Sequence, residues 1–293
     1  MRHWLVLPFA TLALGAAPVY ALQAHPKPSQ GLPFRPQRIV SLNMCADQYL
    51  VALADRSQVA ALTRLSRDPN MSAVAAQAAS WPVSAGTAED ILAMRPDLVI
   101  AAPGFRRAAL DRLTRGRTRL IELDTADTAQ EIAAQIRQIA AAIGQPARGE
   151  ALIARMRRDL AALPANPGRG GVAAYYQRRG YLTGTGTLVD DLMRRVGLTN
   201  LATRLGTPPL ARIGLEQIAL ARPDFLIVET ATDVATDRGA AMLHHPLIAP
   251  IPRLRVPEAW TVCGGPAYVR AAQSLTAQLR RAPQRVGTGS APE

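Results

Sequence analysis

The chain has 293 residues, enough for two domains of ordinary size, each with its own core. Its formal net charge is +12, carried almost wholly by arginine because Lys27 is the only lysine. The arginines are scattered over both halves and aromatics make up 4%. That leaves few stacking platforms and argues against a nucleic-acid partner.

Met1-Arg2-His3 is a short basic start, and Trp4 to Ala17 is an apolar run. With Val19-Tyr20-Ala21 behind it, the segment reads as a secretory signal over residues 1–21, cut near Ala21, with Ala17 or Ala24 as alternative cuts. The expected destination is a periplasm. Residues 22–36 are rich in Pro, Gln, Ser and Gly and are expected to form a flexible arm.

Arg38 to Leu42 reads as the first strand, Asn43 to Asp47 as a turn and Gln48 to Ala54 as a helix. Val59 to Leu62 is a second strand, followed by the loop Ser66 to Asp68. Ala88-Glu89-Asp90-Ile91 then runs through Arg95-Pro96-Asp97 into the apolar strand ending at Ile100, and Phe105, Arg106 and Arg107 follow. Leu120 to Leu123 is another strand. Ile132, Ile136, Ile139 and Ile143 mark one face of a helix from Thr128 to Ile143. A second helix runs from about Ala147 to Leu163, about 25 Å long at about 1.5 Å per residue. It is closed by Pro164 and Pro167.

The second half opens with the strand Val172 to Tyr176 and the polar loop Gln177 to Gly180. Gly184-Thr185-Gly186-Thr187 precedes a helix and reads as a cap rather than a phosphate cradle. Leu215-Glu216-Gln217-Ile218, with Arg222-Pro223-Asp224 and the strand after it, repeats the Glu89 segment 127 residues on. A last strand near Arg253 to Val256 leads to Trp260 through Pro266, a terminal helix and a tail over 284–293 that reads as disordered. The repeat predicts an α/β protein of two similar Rossmann-like lobes, with a ligand cleft between them. The lobes span residues 37–146 and 165–283, joined by a single long helix over 147–164.

With these elements in order, the chain resembles the helical-backbone class of periplasmic binding proteins, which deliver ferric siderophores, haem or cobalamin to ABC importers. Arg38 to Leu42, the two Glu-x-Ile…Arg-Pro-Asp units and the linking helix carry the resemblance, from about Arg38 to Leu279. It implies a monomeric protein, without a cofactor or catalysis, that hands a metal chelate to a permease dimer and its ATPase. A ferric siderophore is the first expectation, cobalamin or a related corrinoid the second and haem the third. A periplasmic chelatase and a purely structural secreted protein are the readings from other classes.

The resemblance assigns Glu89 and Glu216 to permease docking; as helix first-turn acids they also complement the dipole. It places the ligand on loops at the carboxyl ends of the strands. That nominates Asn43, Cys45, Asp47, Arg67, Phe105, Arg106 and Arg107 in the first lobe. Arg178, Arg179, Tyr181, Trp260 and Cys263 are the nominees in the second. The arginines are expected to clamp anionic oxygens, and Tyr181 and Trp260 to cover apolar faces. Cys45 and Cys263 are open between free thiols, a disulfide and metal ligands. His244-His245 reads as a turn.

Overall fold

Short apolar strands flanked by helices leave each half of the chain one economical arrangement, a sheet with both faces covered. A computed structural model describes residues 35–104 and 118–282. The signal segment, most of the expected arm, Phe105, Arg106, Arg107 and the tail lie outside the described residues. Pro36, read as the end of the arm, is buried, and its carbonyl accepts Nε2 of Gln58 at 2.8 Å.

The first sheet holds β1 (Ile39–Ser41), β2 (Val59–Thr63), β3 (Val83–Ser84), β4 (Leu98–Ala101) and β5 (Arg119–Glu122). They are parallel, in the order β3-β2-β1-β4-β5. The order reverses between β1 and β4, and such switch points open a crevice at the strands' carboxyl ends. The second sheet holds β6 (Val172–Gln177), β7 (Tyr181–Thr183), β8 (Thr199–Asn200), β9 (Leu210–Arg212), β10 (Phe225–Glu229) and β11 (Arg253–Val256). Its order is β11-β10-β6-β7-β9, with β8 alongside β6 and the β6–β7 and β7–β9 pairs antiparallel.

The helices that matter for the site are α1 (Met44–Leu53), α2 (Ala88–Ala93), α3 (Ala129–Ala142), α4 (Pro146–Ala161), α5 (Leu188–Arg195), α6 (Leu215–Ala221) and α7 (Tyr268–Arg281). Asn43 starts α1 four residues earlier than the sequence suggests, because its side chain accepts from Cys45 N at 2.8 Å and Ala46 N at 3.4 Å. Thr87, Thr128 and Thr187 cap α2, α3 and α5 in the same way.

The repeat has a structural reason. Arg95 and Arg222 both take left-handed φ, 44° and 46°, which ends each helix and turns the chain into the following proline. The next residue then locks its strand to the neighbour. Asp97 accepts from Gln37 N at 2.6 Å and Arg38 N at 2.9 Å. Asp224 accepts from Val172 N at 2.8 Å. Each aspartate therefore sets the register of the strand that opens its own half.

The linking helix α4 begins with Pro146 in its first turn, where a missing N–H costs nothing. It lies back on α3, and the close approach requires Gly149: a Cβ there would sit 2.6 Å from Cβ of Ala140. Leu152, Ile153 and Met156 of α4 share one buried cluster with Ile132 and Ile136 of α3, Tyr175 of β6 and Leu275 of α7. Each such aliphatic side chain contributes about 1.5–3 kcal/mol on burial. The two sheets thus flank a common core, and the described residues form one unit.

Candidate ligand cleft

A cleft of about 410 Å³ opens at the carboxyl ends of the strands, with walls drawn from both sheets. Asn43 and Cys45 enter from the start of α1, Pro103 from beyond β4, and Asp124 to Asp127 from beyond β5. Opposite stand Tyr175 and Gln177 of β6, Thr183 of β7, the start of α5, and Glu258 with Thr261 to Gly264. Strand alternation explains the Tyr175 and Gln177 pair, since residues two apart share a face.

The floor is a seam between the halves. Cys45 and Cys263 form a disulfide with their Cα atoms 5.3 Å apart. One turn along the same face of α1, Tyr49 Oη donates to the Gly264 carbonyl at 2.6 Å and lies 3.0 Å from Oε1 of Gln135. Burial pushes the Tyr49 phenol far up, so it remains a donor. Gly264 is required here, because a Cβ would stand 2.0 Å from the carbonyl oxygen of Ala126 across the seam. The cysteines are therefore neither free nor metal ligands; they are a wall of the cleft.

The walls mix hydroxyls and amides with three acids, Asp124, Asp127 and Glu258, and hold no Lys, Arg or His among the described residues. Of the nominated arginines, Arg67, Arg178 and Arg179 are described and none of the three is among the lining residues. Arg178 stands at the rim and pairs with Glu258 at 3.5 Å and Glu229 at 3.7 Å. Arg179 takes φ 63°, and its carbonyl accepts Nε of Arg212 at 3.1 Å; it does not line the cleft. Arg67 lies outside the cleft, its guanidinium on the Trp81 carbonyl. Tyr181 shares the Thr183 face of β7 but is not in the wall, and Trp260 packs beneath Arg270 at 5.3 Å. Asn43 is the polar nominee in place. Gln135, Thr183, Asp124, Asp127 and Glu258 line the cleft with no motif in the sequence to mark them.

Residues 39–255 match the model of the periplasmic binding protein family. The chain belongs to that family. This binding protein is 26% identical over 254 residues to the vitamin B12-binding protein of Pectobacterium atrosepticum, covering 83% of this chain and 88% of that one. Its fold is shared with the apo periplasmic heme-binding protein RhuT from Roseiflexus sp. RS-1 (TM-score 0.70, 22% identity, 84% of this chain and 98% of that one). The heme-binding protein HutB of Vibrio cholerae is similar in the same way (TM-score 0.70, 19% identity, 83% and 98%).

Three further residues of the binding protein stand apart from the cleft. His244 Nε2 meets the Thr232 carbonyl at 2.8 Å and His245 caps Leu247 N at 3.2 Å, so both act within a turn. Asp47, expected in the cleft, is fully buried and accepts Thr63 Oγ1 at 2.6 Å, tying α1 to β2. The cause is the helix start at Asn43, which swings residue 47 toward the sheet.

Burial raises the Asp47 carboxyl to about 6, against hydrogen bonds from Ser41 and Thr63 that pull it down. A raised acid favours the fold while protonated. That contribution is complete below the unfolded value of 3.8 and is lost as pH climbs through about 6. The loss is about 2–3 kcal/mol. Asp47→Asn keeps the acceptor without the charge. In urea titrations from pH 4 to 7, it should flatten this slope and raise the midpoint at pH 7. Parallel slopes for the two proteins would refute the assignment.

Proposed function

We propose that the protein captures a corrinoid in the periplasm and hands it to an inner-membrane ABC importer, without chemistry of its own. The cleft lining carries this reading. A corrin is rimmed by primary amides, and a wall of Asn43, Gln135, Gln177, Thr183 and Thr261 with acids between them offers such groups hydrogen-bond partners on both sides. The relative named for vitamin B12 supports the same ligand class.

A ferric siderophore, the first expectation from the sequence, was to be held by arginines. Arg178 is paired with Glu229 and Glu258, and Arg179 is not among the lining residues, which lowers that reading below the corrinoid. Haem wants an axial ligand; Tyr175 spends its hydroxyl on Thr261 at 3.2 Å and burial holds its proton.

In this reading Glu89 and Glu216 seat the loaded protein on the two permease subunits. Both are exposed in the first turns of α2 and α6, and neither forms an ion pair among the described residues. Tryptophan fluorescence of the protein from Leu22 onward tests the ligand. Cyanocobalamin is expected to quench saturably with submicromolar affinity, with Trp260 next to the lining residue Thr261 as a reporter. Quenching by haem or a ferric siderophore and none by cyanocobalamin would sink the corrinoid reading.

A further inference from the structure

Among the described residues, the cleft lining is acidic in a chain of net charge +12. Its most developed acid is Glu258. Behind it Glu229, 2% exposed, accepts Nε2 of Gln177 at 3.0 Å through one oxygen. The other oxygen is shut away from solvent with no hydrogen-bond donor among the described residues, and the guanidinium of Arg178 stands 3.7 Å away. Arg178 also meets Glu258, at 3.5 Å. Two carboxylates therefore share one cation, and Gln177 donates one N–H to Glu229 while its Oε1 accepts Thr183 Oγ1 at 3.4 Å. Burial first, and Glu229 second, push the Glu258 carboxyl up, with Asp68 of the opposite half adding to the same effect.

A wall in this condition gains from a donor and loses from a further anion. We propose that Glu258, backed by Glu229 and steadied by Arg178, is a specificity-determining residue that accepts the N–H of a ligand's primary amide and turns away the matching carboxylate. Arg178 here is a positioning residue, holding the two acids together at the rim rather than gripping the ligand. The proposal rests on the corrinoid reading and names which corrinoids the cleft selects: those whose side chains are fully amidated.

The probes are cyanocobalamin and its monocarboxylates, in which one propionamide has been hydrolysed. At pH 7 and low salt the wild-type protein should bind the parent at least about tenfold more tightly than one or more of the monocarboxylates. Glu258→Gln should reduce that ratio to within about threefold. The wild-type ratio should also shrink in high salt, where charge repulsion is screened.

If Glu258 only held the fold, Glu258→Gln would weaken all the corrinoids together and leave the ratio unchanged, which would overturn the assignment. Equal wild-type affinity for amide and acid overturns it as well, while leaving the corrinoid reading intact. No corrinoid binding, or tighter binding of the dicarboxylate haem, overturns both. Should Glu258→Gln fail to fold, Glu258→Ala carries the same comparison.

Discussion

Reduction of the Cys45–Cys263 disulfide is expected to cost about 3–5 kcal/mol of folding stability. The cysteines are 218 residues apart in sequence, so the bond closes nearly the whole described chain into one loop. Loop-closure entropy grows with loop length, which puts this bond near the top of the range for disulfides. The unlinked state also leaves the cleft floor to the Tyr49–Gly264 hydrogen bond and the packing across the seam. Denaturant titration with and without reductant, repeated for the Cys45→Ala, Cys263→Ala double variant, measures the cost. A shift below about 1 kcal/mol would mean that packing across the seam, not the bond, holds the halves.

Reversing charge at Glu89 and Glu216 together is expected to leave ligand binding within about twofold and to cut ligand-stimulated ATP hydrolysis by the reconstituted importer at least tenfold. Both acids sit in helix first turns, so each reversal costs only about 0.3–1 kcal/mol through the dipole. Both lie outside the cleft wall. Glu216→Arg or Glu89→Arg alone should fall between, because one of two subunits would still be engaged. Full stimulation by the doubly reversed protein would remove the docking role from these residues. Loss of ligand binding in step with stimulation would show a folding defect instead.

The elements with strong periodicity were legible from sequence. The isoleucine face of α3, the long α4 and the twin helix–Arg-Pro-Asp–strand units all stand within two residues of their expected bounds. The short strands β3, β7, β8 and β9 were not, since two or three residues carry no alternation to read. The candidate site was harder, for a different reason. A strand's carboxyl end locates a loop, but a side chain's direction depends on the backbone turn beneath it. At Arg179 a single left-handed φ places the residue away from the cleft. At residue 47 a helix that begins four residues early turns a nominated acid into the core. Arg178, nominated as a ligand clamp, pairs instead with Glu229 and Glu258, two acids 29 residues apart that no spacing rule connects.

The stapled seam has a consequence for how the carrier works alongside its importer. Halves joined by a covalent bond, a common core and a continuous helix have little room to change shape between empty and full. A permease docked as proposed would then meet nearly the same surface in both states, and an unloaded carrier would compete for the dock with a loaded one. Uptake in such a system is governed by the ratio of cargo to carrier: made in excess over scarce ligand, the protein would hinder the traffic it serves.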